Sequence, residues 1–356
     1  MRYLKFCLIY FVSFFLVGCL DKIEAEDRGY IITMGIDNGV EKKYDISFLI
    51  AQFSDNGDTK TTGKIIKISA DSIIEAVNKA NSNTNKLLYL GQLKTVILGE
   101  NILNRKNTLI DILEQLENNK DVSVKTVILA TKGNAEDMAN LIAENELSSG
   151  IYIYDFYKNS AEQTAFTEKV ELEKLTINMR ENKSALIPVI YSYDNQLKIN
   201  GSIIVDNNGI KDFISEESFI NNIWLNNKAE GYVIVDDNGN TLEILDNYCS
   251  YKFYEKDSYI LCDINIKARG SIDGIYDKNN IFNIEKNFEN IISNNILNYI
   301  NKLKLYYKVD PLGFSLKLKK YNNNLYYKYN KENSFVNNMN FNVNCDIKIK
   351  STGISD

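Results

Sequence analysis

Cys19 is the first residue whose side-chain chemistry stands out, because it follows an apolar segment near the start of the chain. Arg2 and Lys5 precede this segment, and positions 6–17 carry no charged residue. A basic end followed by an apolar stretch is typical of an export signal. The stretch is 12 residues long, whereas a membrane-spanning helix needs about 20. The sequence therefore places the thiol of Cys19 where the exported chain leaves the membrane.

The residues that end this segment, Leu16-Val17-Gly18-Cys19, are similar to the processing site of bacterial lipoproteins. In such a site the Cys19 thiol receives a diacylglyceryl group, cleavage follows Gly18, and the new N-terminus is acylated. Two or more acyl chains anchor a protein stably, because one chain contributes only about 0.8 kcal/mol per buried methylene. The alternatives are an uncleaved short anchor and an ordinary cleavage site with an incidental cysteine. We expect a lipoprotein signal peptide at residues 1–18.

The composition of the remaining chain indicates a folded and mildly acidic protein. Without residues 1–18 it has 39 basic and 47 acidic side chains, a formal charge of −8. A negative surface argues against nucleic acid as the main partner. The hydrophobic content of 44% is that of a folded chain. The length is sufficient for two or three cores.

The residues that commonly carry out catalysis are scarce. The chain has no histidine, which excludes Ser-His-Asp and Cys-His catalysis and histidine metal sites. It also lacks a C-x-x-C pair and a glycine-rich phosphate-binding motif. A mechanism with two carboxylates is still open, but 47 acidic residues allow no pair to be selected. We expect no catalytic residue, no metal site, no cofactor and no enzymatic activity.

Two further groups of residues have structural interpretations. Cys249, Cys262 and Cys345 occupy apolar positions of predicted strands, where a buried free thiol is typical, although Cys249 and Cys262 could form a disulfide in one hairpin register. Three Asp-Asn-Gly clusters, beginning at positions 37, 206 and 236, lie between predicted strands. Their spacing does not match a calcium-binding loop, so we expect hairpin turns.

Hydrophobic periodicity divides the chain near Pro188. In residues 19–188, short apolar strands alternate with amphipathic helices, which indicates an α/β domain with a mixed sheet. Residues 189–356 combine alternating strands with a long amphipathic helix, which indicates an α+β region with an antiparallel sheet. One of these strands is predicted to include Phe314, Leu316 and Leu318. A small middle domain at about 189–230, before a C-terminal domain at about 231–356, is an alternative division.

Short motifs in a defined order connect this chain to a known family. They are Cys19 followed by Asp21, Gly35-Ile36-Asp37, Leu88-Tyr89-Leu90-Gly91-Gln92-Leu93-Lys94, Ile97-Leu98-Gly99-Glu100, the segment 112–117, the segment 200–205, Glu217 before Trp224-Leu225, and Asp310-Pro311-Leu312-Gly313-Phe314. With these motifs the chain resembles the Ger(x)C family of spore-germination lipoproteins, which are the C subunits of germinant receptors. Leu20, Gln92 and Pro311 depart from residues that are frequent in the family.

The resemblance implies a non-enzymatic subunit built of three mixed α/β domains, held on the outer face of the spore inner membrane. The implied partners are the integral membrane A and B subunits, and the assembled receptor would respond to small nutrient germinants. The segment 89–94 is either a structural turn or a partner contact. The competing interpretations are a solute-binding lipoprotein and an exported carboxylate-dependent hydrolase. A binding protein would show two similar lobes, whereas the two halves of this chain differ.

A basic and aromatic segment near the C-terminus is the remaining candidate for an interaction surface. Between residues 301 and 331 the chain has eight lysines and one acidic residue, Asp310, together with six tyrosines. Lys317 and Lys319 are either the solvent-exposed side of a strand, or belong with Lys320 to a face that contacts anionic lipid or a membrane partner. Each lysine near a charged bilayer would add about 1 kcal/mol.

The lipoprotein signal is tested by replacing Cys19 with Ala. Because the thiol would be the acceptor of the lipid, the variant should accumulate as an unprocessed and mislocalised precursor. Membrane fractionation and mass spectrometry of the N-terminus measure the outcome. A variant that is still cut after Gly18, and still fractionates with membranes, would show that lipidation is the wrong account.

Overall fold

The computed structural model describes residues 27–51, 63–144, 151–160, 167–194, 196–273, 280–329 and 338–352. Gly18, Cys19 and the rest of the signal segment lie outside the described residues. The described chain forms two sheets, each packed against helices. The mixed α/β class predicted from the sequence is therefore confirmed.

Within the described residues, the larger sheet holds nine strands. They are β1 (Arg28–Asn38), β2 (Tyr44–Ala51), β3 (Gly63–Ala70), β4 (Leu87–Tyr89), β5 (Thr95–Leu98), β6 (Val127–Ala130), β7 (Ser184–Tyr193), β8 (Gln196–Asp206) and β9 (Gly209–Ile214). The order is β3-β2-β1-β5-β6-β7-β8-β9, and β4 pairs with β1. Strands β1, β5, β6 and β7 are parallel, whereas β2 and β3 at one end and β8 and β9 at the other are antiparallel.

Helices cover both faces of this sheet. They are α1 (Ile73–Asn81), α2 (Glu100–Leu103), α3 (Thr108–Glu117), α4 (Ala135–Glu144), α5 (Ile151–Ser160) and α6 (Leu172–Glu181). Strand β5 shows why both faces need a cover, since all four of its residues are buried. Val96 and Leu98 pack in the core that contains α1, α3 and α6, whereas Ile97 packs with α4 and α5. Alternate side chains of a strand point to opposite faces, so buried parallel strands require two layers of helices.

Pro188 lies inside β7, and β8 and β9 continue the larger sheet beyond it. The register of β7 with β8 shifts between Pro188 and Ile190, which fits a residue that cannot donate a ladder hydrogen bond. The proline therefore marks an irregularity in a strand, and the larger sheet does not end there. The chain leaves this sheet after Ile214, through helix α7 (Glu216–Leu225).

The smaller sheet has the order β10 (Val233–Val235), β11 (Thr241–Lys256), β12 (Tyr259–Asp273), β13 (Met339–Thr352). The long helix α8 (Ile281–Asn301) contacts β13 and buries Phe288 and Ile296. Strands β10 to β12 are antiparallel as predicted, but β13 runs parallel to β12. The predicted antiparallel sheet therefore holds for β10 to β12 and is wrong for β13. A crossover that includes α8 separates β12 from β13, and parallel neighbours need such a crossover where antiparallel ones need only a hairpin.

The strand predicted at Phe314–Leu318 is wrong, because these residues begin helix α9 (Phe314–Tyr321). Before α9 the chain forms a π-helical turn at Lys302–Tyr307, and after it helix α10 at Asn323–Tyr329. Phe314 and Leu318 are buried on one side of α9. Residues four apart share a helix face, and residues two and four apart share a strand face, so five residues fit either period.

The three Asp-Asn-Gly clusters form the predicted turns, which connect β1 to β2, β8 to β9 and β10 to β11. Gly209 and Gly239 have φ of 130° and 81° there, values that a side chain disfavours. The disulfide considered for Cys249 and Cys262 is not formed, and both thiols are free. Cys249 pairs with Ile266, four positions along β12 from Cys262. That offset corresponds to about 13 Å, which is too far for a disulfide.

Helix α4 is held to the larger sheet by the carboxylate of Asp37 at the end of β1. Its two oxygens accept hydrogen bonds from the backbone N–H groups of Ala135 and Glu136, at 2.7 and 2.9 Å. Burial raises the pKa of Asp37, and these two hydrogen bonds oppose the rise. The carboxylate therefore acts as an N-terminal cap supplied by another part of the chain.

Replacement of Asp37 with Ala should lower the free energy of unfolding by about 1–2 kcal/mol, because two partly buried N–H groups lose their acceptor. Urea denaturation at pH 7 measures the change. Asp137→Ala is a matched control, since Asp137 is exposed in the first turn of the same helix. Equal losses in the two variants would contradict the capping role.

Candidate functional site at the junction of the two sheets

Charged and polar groups collect where α6 and β8 of the larger sheet meet α7 and α9. They line a cleft of about 230 Å³ whose walls also include Val170, Leu186 and Phe219. Ser202 on β8 reaches this cleft because it shares a strand face with Ile204, which packs in the core of the smaller sheet. The cleft is therefore bounded by both halves of the chain.

Glu168, just before α6, is the centre of the polar cluster and is only 5% exposed. One carboxylate oxygen accepts from the ammonium groups of Lys174 and Lys228, at 2.5 and 2.9 Å. The other oxygen accepts from the side-chain amides of Asn222 and Asn226, at 3.1 and 2.9 Å. Burial disfavours the charge of Glu168, but the two ammonium groups outweigh this cost and hold its pKa at about 2.

The partners of Glu168 connect the two halves of the chain. Lys174 belongs to α6, whereas Asn222, Asn226 and Lys228 lie in or just after α7. The end of α7 is held in turn by the smaller sheet, since the amide of Asn247 donates to the carbonyl of Trp224 at 3.0 Å. The hydroxyl of Tyr251 donates to the carbonyl of Leu225 at 2.6 Å. Helix α7 is therefore fixed at its C-terminal end by polar groups from both sides.

Asp310 is the second buried carboxylate of the junction. It accepts hydrogen bonds from the backbone N–H groups of Phe314 and Ser315, both at 2.8 Å, and therefore caps α9. Its own N–H donates to the hydroxyl of Ser184, the first residue of β7, at 3.1 Å. Burial raises the pKa of Asp310, and the capping bonds oppose the rise. Gly313, with φ of 67°, closes the turn between the cap and the helix. This arrangement gives a structural role to the motif at positions 310–314.

Lys317 does not lie on an exposed face, contrary to both readings of the strand that was predicted there. The helical turn directs its ammonium inward, where it donates to the carbonyl of Leu312 at 2.5 Å. The ammonium also lies 5.2 Å from the ring centres of Tyr251 and Phe314. Burial lowers the pKa of Lys317, and the charge of Asp310 opposes this effect.

Lys319 and Lys320 are exposed on the same helix. Their ammonium groups lie 5.5 Å from the ring centre of Tyr326 and 5.4 Å from that of Tyr321. Their contact with lipid or a partner stays a prediction, and Lys317 no longer belongs with them.

Other motif residues line a second cleft of about 660 Å³ beside the first. Gly201 on β8 has φ of 66°, and a Cβ atom there would lie 2.5 Å from the carbonyl oxygen of Ile214. The amide of Asn200 donates to the carboxylate of Glu216 at the start of α7. At these residues β8 closely approaches the segment that leads into α7. The motif at positions 200–205 therefore has a structural role.

The motif at positions 88–94 also has contacts in the core. Leu88 belongs to β4, and Leu90 lies in the short 3-10 turn Leu90–Gln92. Leu88, Leu90 and Leu93 are buried in the core of the larger sheet. These contacts favour the structural interpretation of the segment over a partner contact.

Sequence reasoning missed Glu168 and its partners. Asn222 and Asn226 carried a usable signal, since they lie four residues apart at the C-terminal end of α7, where Asn226 is the C-cap, and so share one face. Glu168 had no comparable signal among 47 acidic residues.

No group of three or more His, Cys, Asp or Glu side chains in the described ranges is arranged to hold a metal ion. In the same part of the chain, no helix has both the length and the apolar character to cross a bilayer.

Replacing Glu168 with Gln should lower the free energy of unfolding at pH 7 by about 2–4 kcal/mol, because the neutral amide cannot balance the two ammonium groups. Chemical denaturation measures the loss. Glu173→Gln, at an exposed position in the first turn of α6, is the matched control.

The same pair of variants has a defined dependence on pH. The pKa of Glu168 is lower in the folded chain than in the unfolded chain, so its contribution is complete above about pH 4.5. The contribution is lost as the pH falls through about 2. The difference in stability between wild type and Glu168→Gln should therefore shrink between pH 5 and pH 2. A difference that is constant over this range would contradict the assigned charge.

Most of the chain matches two protein-family models. Residues 21–191 match the family described as spore germination protein N-terminal domain, and residues 199–353 match the spore germination B3/GerAC-like C-terminal family. Spore germination protein B3 of Bacillus subtilis is 22% identical, over 87% of each chain. Spore germination protein GerQC of Bacillus cereus is 23% identical, over 99% of each chain.

A solved structure shares the fold. The crystal structure of the GerBC protein superposes with a TM-score of 0.60 at 17% identity, and the match covers 89% of this chain and 97% of that one. Two family domains, in this order, account for nearly all of the described chain. The chain belongs to the family of spore germination proteins of the B3/GerAC type.

Proposed function

We propose that this chain is a lipid-anchored, non-catalytic subunit of a receptor through which spores respond to nutrient germinants. The observation that carries the proposal is the match to both family domains, which together extend from residue 21 to residue 353. The names of the relatives connect them to spore germination. The absence of histidine from the sequence and the structural roles of the buried carboxylates Asp37, Glu168 and Asp310 are consistent with a subunit that acts through contacts.

In this proposal Cys19 carries the lipid, and the folded part lies at the outer face of the spore inner membrane. The first described strand begins at Arg28, so fewer than ten residues separate it from the anchor. Extended residues span about 3.3 Å each, and the linker therefore keeps the start of β1 within roughly 30 Å of the bilayer. Integral membrane subunits of the A and B type are within reach at that distance.

Lys319 and Lys320 are the residues proposed to face the membrane or a membrane subunit. Both are exposed, and Tyr321 and Tyr327 nearby are 52% and 61% exposed. Amphipathic aromatic side chains and lysines together suit the polar boundary of an anionic bilayer or an acidic protein surface.

The competing functions have less support. A solute-binding lipoprotein with two similar lobes does not fit a nine-stranded sheet joined to a four-stranded one. An exported hydrolase would need two free carboxylates that face each other, whereas Glu168 and Asp310 are occupied by hydrogen bonds.

Deletion of the gene in its native sporulating organism should abolish or slow germination on at least one nutrient, and the wild-type gene should restore it. The variant Lys319→Glu/Lys320→Glu should restore germination poorly, because the charge reversal repels an acidic surface. Loss of refractility on a panel of nutrients measures the response.

The matched control is Lys120→Glu/Lys125→Glu, which makes the same change of charge at exposed positions of the larger-sheet half. Normal germination of the deletion strain on every nutrient, in a background without a second copy of the gene, would refute the proposed function. Full restoration by the Lys319→Glu/Lys320→Glu variant would refute only the contact surface.

A further inference from the structure

The cleft at the junction has an imbalance of charge. Lys174 and Lys228 form salt bridges with Glu168. Asp310 caps α9 through backbone N–H groups and acts on Lys317 only at a distance, so three lysines are present for two carboxylates. Within the described residues, no carboxylate lies within salt-bridge distance of the Lys317 ammonium.

The ammonium of Lys317 has more hydrogen-bonding capacity than the structure uses. It has three N–H donors, and the described residues supply one acceptor, the carbonyl of Leu312. The rings of Tyr251 and Phe314 attract the charge but are weak substitutes for an acceptor. An inward-facing ammonium with unused donors is stabilised by an anion that can reach it.

Ser202 provides an independent second observation in the lining of the same cleft. The residue is 1% exposed, and its hydroxyl has no hydrogen-bond partner among the described residues. Buried hydroxyl groups are nearly always hydrogen-bonded. Its strand position directs it toward the same cleft that Lys317 lines.

We infer that this cleft binds a small organic molecule through a carboxylate, which pairs with the ammonium of Lys317 and accepts from the hydroxyl of Ser202. Val170, Leu186 and Phe219 surround the non-polar remainder of the molecule, and the amide of Asn178 lines the same wall. This inference goes beyond the proposed function and does not depend on it.

The volume of the cleft limits the size of the ligand. About 230 Å³ is room for roughly seven or eight water-sized groups. That is below the roughly 300–1,000 Å³ of pockets for larger ligands. The ligand class is therefore a short-chain carboxylate with an apolar body.

Fluorine NMR with trifluorobutyrate tests the inference, because this probe has a carboxylate and a short apolar body. Trifluorobutyramide is the matched probe, since it has the same shape without the charge. The full chain should broaden the trifluorobutyrate signal at least about tenfold more strongly than the trifluorobutyramide signal.

Three variants locate the binding. Lys317→Met should weaken trifluorobutyrate binding at least about tenfold, and Ser202→Ala about threefold to tenfold. Lys320→Met is the matched control, since it removes an exposed lysine of the same helix, and binding should be unchanged. Circular dichroism establishes that each variant is folded.

Equal binding of the two probes would overturn the inference, as would unchanged binding by Ser202→Ala or by a folded Lys317→Met variant. If Lys317→Met does not fold, Ser202→Ala and the probe pair decide the question. These outcomes are separate from the germination of the deletion strain, so this site and the receptor role can fail independently.

Discussion

The junction between the two sheets depends on a buried negative charge that neither half of the chain could hold alone. Glu168 is removed from water, which costs free energy that only several charged or polar partners can offset. Its four partners are Lys174 of α6, Asn222 of α7, the C-cap residue Asn226, and Lys228 two residues later, up to 60 positions away. Separation of the halves would leave the carboxylate in an apolar surface or force its protonation. The charge therefore fixes the position of α7 between the sheets.

Two other carboxylates accept hydrogen bonds from the backbone N–H groups at the N-terminal ends of helices. Asp37 caps α4 from a position 98 residues away, and Asp310 caps α9 while its backbone N–H bonds the start of β7. The first N–H groups of a helix need acceptors, and a carboxylate also interacts favourably with the helix dipole. Asp37 thereby orients α4 against the larger sheet, whereas Asp310 joins α9, which packs in the core of the smaller sheet, to the start of β7. The carboxylates of Asp37, Glu168 and Asp310 thus have structural roles.

The cleft lies between Glu168 and the N-terminal part of α9, the helix that Asp310 caps. A ligand there would contact β8 through Ser202 and α9 through Lys317, and so would touch both halves of the chain at once. Binding energy gained in this way stabilises the arrangement in which the two sides are close.

The sequence by itself determined the fold class, the hairpin turns and the family, because these follow from local periodicity, from Asn-Gly turn chemistry and from ordered motifs. The lipid anchor at Cys19 stays a prediction from the sequence. Only the tertiary structure decided that Phe314–Tyr321 is a helix, that β13 is parallel to β12, and that Lys317 points inward. A five-residue apolar pattern fits both periods, and the partner of a buried charge is chosen by packing between residues far apart in the chain. Local sequence does not specify these long-range contacts, so the role of Glu168 could be identified only from the tertiary structure.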